Sequence, residues 1–473
     1  MQPSSSAPKA MSRDAPIIIV GAGAWGLSTA LHLRQAGYTN VTVFERAERV
    51  PSPYSAAWDI NKIVRPEYED GFYTELALIP GEKNLLTLLN QDAIKGWKTP
   101  LFGPYFHQTG YVVATTGRAP QKAIDHLREA LKSIERHPTF APGIRALSNS
   151  EDFKQFTWQY SGPLTGFKGY FNRLAGYAHS SAALEGMWEH CARIGVKFVM
   201  GEEAGKVEKL LYSSAPGKET LSTNAEPSGN GGRCVGVRTA DGKEHRADLT
   251  ICALGAHGAS LIQDLGRFVV ARCWSVAHVQ LSEEETDFLR GIPTTNVRDL
   301  GFFFEPDPKT RLFKLCPLGT GYTNTLSDGT SLPPADRLPP PQDFIPYEDE
   351  KKLRQLLRET FPWMADRPFV EQKLCWFADT KDSEYCIDYV PGTQNSLIAL
   401  SGDSGHGFKM MPIFGSWVTD LIGKGKQTLP RWQWRTEDLR GKNWGDSVSW
   451  RIGRARELRE LIDEKSKLIR ARL

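Results

Sequence analysis

The fold is decided by Ile17-Ile18-Ile19-Val20-Gly21-Ala22-Gly23-Ala24-Trp25-Gly26, close to the start of a chain of 473 residues. The apolar run predicts a buried strand, the glycines predict a tight turn, and the residues up to about Gly37 predict a helix. A second apolar run, Val41–Phe44, ends at Glu45. This order of strand, glycine turn, helix and strand is typical of a nucleotide-binding domain, so the sequence predicts an α/β fold with a Rossmann-type unit.

Each glycine of the turn has its own role in such a unit. Gly21 permits the tight turn, Gly23 lets the backbone approach a pyrophosphate, and Gly26 lets helix and strand pack closely. The start of the helix attracts the phosphate charge. Glu45, nineteen residues after Gly26, is placed to accept a hydrogen bond from an adenosine ribose. The spacing predicts dinucleotide binding, but Glu45 followed by Arg46 does not separate FAD from NAD.

Composition argues against several other classes of protein. The chain is 40% hydrophobic and 24% charged, as folded proteins are, and its net charge of +3 comes without a basic stripe, so nucleic-acid binding is not expected. Its seven cysteines are odd in number and lack metal-ligand spacing, which suits a reducing compartment and predicts no metal site. The first sixteen residues contain no apolar segment, and Ile17–Val20 is too short to cross a bilayer, so no membrane association is expected.

The chain ends in Ala471-Arg472-Leu473, a variant of the small-basic-leucine tripeptide that a peroxisomal receptor reads. This ending predicts a peroxisomal protein if the source is a eukaryote. The alternative is that the tripeptide is only the frayed end of a charged helix over Arg454–Ile469, and the protein is then cytoplasmic.

The length suits two interleaved domains. A buried strand at Arg246–Leu254 and another at Ser396–Leu400, each followed by a glycine-rich stretch, indicate that the nucleotide-binding domain is assembled from separate segments. From Cys273 to about Val370, strand-like runs alternate with proline-rich connections, which predicts an antiparallel substrate domain. The predicted division is 15–95, 160–270 and 371–440 for the nucleotide-binding domain, 96–159 and 271–370 for the substrate domain, and 441–473 for a helical tail.

Six motifs occur in this order along the chain: GAGAWGLSTALHL (21–33), SAAWDINKIVR (55–65), GYFNRLAGYAH (169–179), GFFFEPD (301–307), LCWFADT (374–380) and GFKMMP (407–412). On these motifs the chain resembles the fungal FAD-dependent amine oxidases, which include fructosyl amino acid oxidases (amadoriases) and saccharopine/pipecolate oxidases and, more distantly, monomeric sarcosine oxidase. The resemblance covers nearly all of residues 15–450. It implies the D-amino acid oxidase/sarcosine oxidase architecture and a monomer.

The resemblance also implies how FAD is held. In this family a cysteine in a CW motif forms a thioether with the 8α-methyl group of the flavin, and Cys375 matches it; the alternative is a buried structural cysteine. The turn Ser401–Gly407 is expected to open a helix whose backbone N–H groups face the flavin. The expected cofactor-binding residues are Gly21, Ala22, Gly23, Trp25, Gly26, Glu45, Arg46, Ser55, Lys62, Val207, Cys375, Asp403, Gly405, Gly407, Phe408 and Lys409.

One catalytic and two substrate-binding residues follow from the same resemblance, and the chemistry of Asp59 adds a second catalytic candidate. Lys62 matches a family lysine that helps oxygen react with reduced flavin, and Asp59 is a second candidate that could accept a substrate proton or merely cap the local turn. Lys409 matches a lysine that holds the substrate carboxylate, although a lysine there could also be a surface charge. Arg65 matches an arginine that pairs with the same carboxylate, or it anchors a loop before Pro66.

Leu318 bears on the substrate. It occupies the position of a glutamate that binds the sugar part of the substrate in fructosyl amino acid oxidases, and leucine cannot accept hydrogen bonds from sugar hydroxyls. The expected function is therefore oxidation of a secondary amine in an N-substituted amino acid of saccharopine, pipecolate or N-methyl type, with dioxygen as acceptor, to an imine and hydrogen peroxide. The alternatives are a natural-product oxidase whose imine closes a ring, a fructosyl amino acid oxidase, an NAD(P)-dependent dehydrogenase and a flavin-binding protein without catalysis.

Overall fold

A computed structural model describes residues 11–78, 93–213, 232–334, 344–442, 444, 451–453 and 455–461. The strands are β1 (Ile17–Val20), β2 (Val41–Glu45), β3 (Lys62–Val64), β4 (Phe106–His107), β5 (Tyr111–Thr115), β6 (Ile144–Leu147), β7 (Lys168–Asn172), β8 (Gly176–Ala178), β9 (Lys197–Met200), β10 (Val207–Tyr212), β11 (Cys234–Thr239), β12 (Glu244–Arg246), β13 (Leu249–Cys252), β14 (Val269–Gln280), β15 (Thr294–Val297), β16 (Gly301–Phe303), β17 (Leu312–Pro317), β18 (Tyr322–Thr323), β19 (Val370–Thr380), β20 (Cys386–Tyr389), β21 (Leu397–Ser401) and β22 (Arg456–Glu457). The α-helices are α1 (Ala24–Gln35), α2 (Gly71–Leu78), α3 (Ala93–Trp97), α4 (Gln121–Glu135), α5 (Ser150–Phe156), α6 (Ser180–Arg193), α7 (Gly258–Leu261), α8 (Glu283–Phe288), α9 (Tyr347–Thr360) and α10 (Phe414–Lys424).

The first sheet has the strand order β20-β21-β13-β1-β2-β9. Its strands are parallel except for the edge strand β20. The strand β1 is central and buried throughout, because each of its four residues is apolar and both faces of a doubly wound sheet are covered. The helices α1, α6 and α10 pack on one face. The Rossmann-type unit predicted from Ile17 to Glu45 is confirmed.

The second sheet is larger and mainly antiparallel, in the order β22-β18-β14-β17-β16-β15-β5-β7-β6, with β19 also paired to β14. Side chains alternate between its two faces. On one face Val297, Phe303, Phe313 and Leu315 join the core that α9 covers. The opposite face of β14 to β17 is therefore available for a site. The predicted fold class, an α/β domain with a mainly antiparallel second domain, is confirmed.

The predicted domain boundaries stay a prediction, and the strand pairing differs from them at two places. The strand β7 falls in a segment assigned to the nucleotide-binding domain, yet it pairs with β5 and β6 in the large sheet. The strand β19, assigned to the same domain, pairs with β14 from Val269 to His278. Residue patterns predict strands but not their partners, so a strand at a boundary is easily assigned to the wrong sheet.

The C-terminal segment is tied to the large sheet by buried charges. Arg451 and Arg272 both contact the carboxylate of Asp379, and these three side chains are almost fully buried. The helix predicted over residues 454–469 lies mostly outside the described residues. Within it, Arg456–Glu457 form the strand β22, which pairs with β18, and only 458–461 are helical. The prediction of a helical tail is therefore wrong at its start, because pairing with a sheet edge outweighs the helix propensity of the segment.

In the described ranges, no helix is both long enough and apolar enough to cross a membrane.

Candidate active site

A cavity of about 840 Å³ lies between the two sheets. The parallel sheet contributes the carboxyl ends of its strands, where open α/β sheets bind ligands. The large sheet contributes the face that is not packed on its own core. The lining residues from the parallel sheet and its loops include Gly21, Gly23, Glu45, Ala253 and Asp403, and those from the large sheet include Trp274, Asn296, Phe302, Phe304, Lys314, Cys316 and Cys375.

The three glycines of the first turn serve different purposes. Gly21 has φ of +104°, and a Cβ atom there would lie 2.6 Å from the carbonyl oxygen of Ala253. A Cβ atom on Gly26 would lie 1.9 Å from the Gly21 carbonyl oxygen. At Gly23 the nearest atom to such a Cβ would be Ser55 Oγ at 3.7 Å. Gly21 and Gly26 are therefore required by the protein's own packing, whereas Gly23 leaves space on the cavity side.

Glu45 lines the end of the cavity that lies next to the first glycine turn. Its carboxylate accepts hydrogen bonds from the backbone N–H groups of Ala22 and Ala47, each at 3.0 Å. These bonds hold the acid at the end of β2, beside the glycine turn. Arg46, next along the chain, lies over the ring of Tyr54 at 3.8 Å. Of the other residues expected to bind the cofactor, Arg46, Ser55 and Val207 line the cavity, whereas Ala22 and Gly26 lie behind the lining.

A second glycine turn meets the first through Trp25. The Trp25 ring stacks on Phe414 with centroids 4.0 Å apart, and its Nε1 donates to the carbonyl of Gly407. A Cβ atom on Gly407 would come within 2.7 Å of this ring. Gly405, with φ of +76°, packs as closely against Trp274. Gly405, Gly407 and the neighbouring Asp403, Phe408 and Lys409 all line the cavity.

The helix predicted to open at this second turn begins later. A single 3-10 turn covers Phe408–Met410, and α10 starts only at Phe414. Pro412 explains the delay, because a proline is tolerated near the start of a helix but not in its interior. The expectation that a long helix points its positive end from Gly407 into the site is therefore wrong.

Cys375 faces the cavity from β19, opposite Trp274 on β14. Its Sγ lies 3.7 Å from Lys62 Nζ and 3.6 Å from the carbonyl oxygen of Ala56. All seven cysteines are free, and Cys375 alone is partly exposed, while the other six are buried. Cys316 also reaches the lining, but burial raises the pKa of its thiol to about 11. Cys375 is thus the cysteine best placed to react with a bound molecule.

A buried cluster lies beneath the middle of the cavity, and we call it the Asp59 cluster. The Asp59 carboxylate, with no exposed surface, contacts the Nζ atoms of Lys314 at 2.5 Å, Lys62 at 2.8 Å and Lys373 at 3.8 Å. Burial would raise the pKa of Asp59, but the lysines hold it well below its ordinary value. Burial also opposes the charge on Lys62, yet Asp59 raises its pKa. Asp59 does not line the cavity and is instead the shared anion for Lys62 and Lys314, which do.

Lys314 is a site residue that sequence reasoning missed. It lies on β17 in Leu312-Phe313-Lys314-Leu315-Cys316, and its Nζ also donates to the carbonyl of Asn61 at 2.6 Å. Burial lowers its pKa even though Asp59 opposes the shift. The signal was present in the sequence, because a single lysine in an otherwise apolar strand has to find a buried partner.

Arg65 and Lys409 gather at the far end of the cavity around Tyr68. Arg65 Cζ lies 4.8 Å and Lys409 Nζ 4.7 Å from the centroid of the Tyr68 ring. Lys409 Nζ donates to Tyr68 Oη at 2.9 Å. Burial and the nearby Arg65 lower the pKa of Lys409 well below its ordinary value. In the part of the chain that the structure describes, neither cation makes an ion pair, so both can receive an anion from the cavity.

In the described residues, no group of histidine, cysteine and acidic side chains is arranged to hold a metal ion. The site combines a glycine turn with room beside Gly23, a partly exposed cysteine and a cationic end, as in an oxidoreductase that carries an organic redox cofactor. The comparisons with known proteins make this class specific. The chain belongs to the family of FAD-dependent oxidoreductases, whose model matches residues 16–421.

Several relatives are similar over almost the whole chain. L-saccharopine oxidase of Schizosaccharomyces pombe is 32% identical over 96% of this chain and 98% of that protein. Amino acid oxidase imqH of Aspergillus flavus is 28% identical over 86% of this chain and 92% of that protein. The structure of the fructosamine oxidase Amadoriase II of Aspergillus fumigatus, in complex with FSA, matches with a TM-score of 0.81 at 33% identity, covering 96% of this chain and 97% of that one. The family resemblance and the predicted architecture are confirmed.

The cavity fits FAD. The room at Gly23 suits a pyrophosphate, Glu45 suits the adenosine ribose, and the space extends without interruption to Cys375 and the second glycine turn. A cavity of about 840 Å³ lies within the range of cofactor sites. Glu45 and Arg46 did not distinguish FAD from NAD, and the family match identifies FAD as the cofactor.

Two alanine substitutions test this assignment of the first glycine turn. Gly23→Ala is expected to leave the thermal unfolding midpoint of the apoprotein nearly unchanged and to reduce the flavin content, because its methyl group enters the cavity. Gly26→Ala is expected to lower the unfolding midpoint itself, because its methyl group meets the Gly21 carbonyl. Flavin absorbance per protein and differential scanning fluorimetry measure both effects. A Gly23→Ala protein that binds FAD as the parent does would contradict the assignment.

Proposed function

We propose that the protein is an oxidase of the secondary amine in an N-substituted amino acid, converting the CH–NH unit to an imine and dioxygen to hydrogen peroxide. The observation that carries this proposal is the pair of cations, Arg65 and Lys409, at one end of a cavity that is otherwise largely aromatic and apolar. A guanidinium fork and an ammonium suit an α-carboxylate. The relatives named as L-saccharopine oxidase and monomeric sarcosine oxidase support the same substrate class.

Bound FAD would supply the acceptor for the two electrons of the C–H bond beside the amine. The protein's part is to place that bond. Arg65 and Lys409 hold the carboxylate, and the α-carbon is thereby directed toward the middle of the cavity, where Phe302, Phe304 and Trp274 exclude water. A bound carboxylate favours the ammonium form of Lys409, which burial disfavours in the free enzyme. Substrate binding therefore involves uptake of a proton by Lys409 at pH values above its lowered pKa.

We assign the activation of dioxygen to the lysines of the Asp59 cluster. Superoxide is an anion, and a fixed cation that faces the cavity stabilises it as it forms. Lys62, the residue expected from the sequence, and Lys314 both meet this requirement, and Asp59 keeps Lys62 protonated. Asp59 has no exposed surface, so we do not assign it a contact with the substrate. Its role is to position the two ammonium groups.

Replacing either lysine tests this assignment. Lys62→Met and Lys314→Met are each expected to slow reoxidation of the reduced holoenzyme by about 100-fold, because each removes a cation from the cavity wall. Lys373→Met is the matched control, since Lys373 contacts Asp59 only at 3.8 Å and does not line the cavity. Stopped-flow mixing of photoreduced enzyme with aerated buffer gives the rates. If both cavity variants reoxidise as fast as the parent, the assignment is wrong.

We further propose that Cys375 binds the flavin covalently through an 8α-thioether. The proposal is supported by its partial exposure, its place in the cavity wall and the Lys62 ammonium 3.7 Å from Sγ. Cys316 also lines the cavity but is buried.

Acid precipitation distinguishes a covalent flavin from a dissociable one. The parent protein and the Cys316→Ser control are expected to give a yellow pellet, because the thioether survives denaturation. Cys375→Ser is expected to release its flavin to the supernatant, as measured by absorbance at the flavin maximum. Colour that leaves the parent on precipitation, or that stays with Cys375→Ser, would refute the tether.

Leu318 supports an amino acid in place of a sugar adduct as substrate. Its side chain is buried in the cavity wall, where it offers no acceptor to a sugar hydroxyl. Fructosyl amino acid oxidation is nevertheless the second candidate, because solved amadoriase structures match 96% of the chain.

Peroxide release across an amine panel tests the proposed function. We expect the highest kcat/KM among saccharopine, pipecolate, sarcosine and other N-methyl amino acids, and activity at least about 100-fold lower with fructosyl-valine and fructosyl-lysine, because Leu318 leaves the sugar hydroxyls unpaired. A peroxidase-coupled assay on the purified holoenzyme measures the rates. If a fructosyl amino acid is the best substrate, the amadoriase candidate is correct instead.

We also propose that the protein acts as a monomer and resides in the peroxisome, where catalase removes the peroxide. The second proposal rests on Ala471-Arg472-Leu473, which lies outside the described residues.

A further inference from the structure

A chain of hydrogen bonds leads from Lys409 into the protein behind the cationic end of the cavity. Lys409 Nζ donates to Tyr68 Oη at 2.9 Å, and Tyr68 Oη lies 3.3 Å from His406 Nδ1. On the other side of the imidazole ring, His406 Nε2 lies 2.9 Å from the carbonyl oxygen of Ser383. Lys409, Tyr68 and His406 are buried, and all three line the cavity. The chain therefore connects a residue proposed to hold the substrate with a backbone carbonyl behind the cavity wall.

The carbonyl of Ser383 decides which nitrogen of His406 carries the hydrogen. A carbonyl oxygen only accepts hydrogen bonds, so Nε2 has to be protonated and to donate. Burial and the neighbouring Lys409 hold the pKa of His406 well below its ordinary value, so the ring is neutral. A neutral imidazole has one donor and one acceptor. With Nε2 as the donor, Nδ1 is the acceptor that faces Tyr68.

Ser383 is held firmly in the position that this bond requires. Its backbone has φ of +59°, in the left-handed region that is unfavourable for a residue with a side chain. The backbone N–H of Ser383 donates to the carbonyl of Thr380 at 3.1 Å, and its Oγ lies 3.3 Å from a guanidinium nitrogen of Arg451. Such a conformation persists only where the surrounding contacts over-determine it. The Ser383 carbonyl is therefore a fixed acceptor for His406.

The acceptor at Nδ1 turns the hydroxyl hydrogen of Tyr68 away from Lys409. Tyr385 Oη also lies 2.9 Å from this nitrogen, but Tyr385 has a second acceptor, the carbonyl oxygen of His406, at 3.3 Å. Tyr68 then presents only its oxygen lone pairs to Lys409 Nζ, and an acceptor in this position favours the ammonium form of a lysine. This effect opposes burial and the nearby Arg65, which lower the pKa of Lys409 well below its ordinary value.

The other ionisable groups around Lys409 and His406 act through charge or ring contact. Arg65 disfavours a positive charge on both residues, Arg451 disfavours it on His406, and Glu67 favours it on Lys409. These groups come from different parts of the chain: Arg65, Glu67 and Tyr68 follow β3, Tyr73 lies on α2, Tyr385 precedes β20, and Arg451 belongs to the C-terminal segment. Tyr68 differs from them because its hydroxyl bonds Nζ directly and is oriented by His406.

We propose that His406 is a positioning residue for carboxylate binding: by accepting the hydrogen of Tyr68, it keeps Lys409 in the form that donates to the substrate carboxylate. The proposal rests on the proposed function, which assigns that carboxylate to Lys409 and Arg65. His406 takes no part in the transfer of electrons. It acts on the substrate only through the Tyr68 hydroxyl and Lys409.

Carboxylate binding as a function of pH tests the proposal without turnover. The probe is acetate, and its dissociation constant is measured by titrating the flavin absorbance of the holoenzyme between about pH 5 and about pH 10. In the parent, binding is expected to weaken as the pH rises through the lowered pKa of Lys409, because a neutral amine does not attract an anion.

His406→Leu is expected to shift this weakening to lower pH by about one pH unit, because the Tyr68 hydrogen can then turn toward the Lys409 nitrogen and stabilise the neutral amine. At the alkaline end the variant should bind acetate about 10-fold more weakly than the parent. At the acidic end, where Lys409 is charged in both proteins, the two affinities should be nearly equal.

Three further variants separate this effect from a loss of packing. His406→Asn places an amide oxygen near the position of Nδ1 and is expected to restore most of the parent profile. Tyr385→Phe removes the other hydroxyl at Nδ1 from the same buried surroundings and is expected to keep the parent profile. Tyr68→Phe removes the acceptor of Lys409 itself and is expected to shift the profile as His406→Leu does. If His406→Leu fails to fold, Tyr68→Phe and His406→Asn decide.

Three results would overturn the role of His406. A His406→Leu profile that coincides with the parent's would show that Tyr68 does not depend on the imidazole. A shift to higher pH would show that His406 acts as a nearby positive charge. A shift in Tyr385→Phe as large as that in His406→Leu would show that any disturbance of the buried surroundings has the same effect.

The two proposals fail in different ways. An enzyme that releases peroxide from the secondary amines of the panel, and whose acetate profile does not respond to His406→Leu, keeps the proposed function and loses the role of His406. An enzyme that releases no peroxide from any secondary amine loses the proposed function, and the acetate titration still decides the role of His406. If the parent holoenzyme binds no acetate, the carboxylate site and the role of His406 are refuted together.

Discussion

Asp59 carries one negative charge with no exposed surface, and that charge is shared by Lys62, Lys314 and Lys373. These lysines come from three strands, β3, β17 and β19, which are far apart in the sequence. A buried carboxylate is stable only beside positively charged partners, and buried ammonium groups likewise require a nearby anion to remain charged. The Asp59 cluster therefore fixes where the segment after the glycine turn meets the large sheet, and so fixes the shape of the cavity between them.

The rest of the site follows from this junction. Once β3 is held against β17 and β19, Lys62 lies beside Cys375, and Arg65, three residues further on, reaches the opposite end of the cavity beside Lys409. One wall then leaves room for a dinucleotide beside Gly23, and the other presents ordered cations. An FAD-dependent oxidoreductase of amino acids needs both walls, because the cofactor has to be bound tightly and the reacting bond has to be placed against it.

The sequence predicted those parts of the site whose chemistry is local. The turn from Gly21 to Glu45 contains the spacing that a dinucleotide needs, and a family motif identified Cys375. It did not predict Lys314, because the importance of this lysine arises from strand alternation and from sheet neighbours that no local pattern specifies. The late start of α10 and the strand at Arg456–Glu457 were missed for similar reasons, since Pro412 and a free sheet edge outweigh helix propensity.

The most direct test of this account is the pH dependence of flavin reoxidation in Asp59→Asn. In the parent, Asp59 keeps Lys62 charged, so the rate constant should be nearly constant from about pH 6 to about pH 9. In Asp59→Asn, burial is no longer opposed by a carboxylate, the pKa values of Lys62 and Lys314 fall, and the rate constant should decrease as the pH rises through that range. A variant whose profile matches the parent's would show that Asp59 does not control the charge of these lysines and would contradict the account.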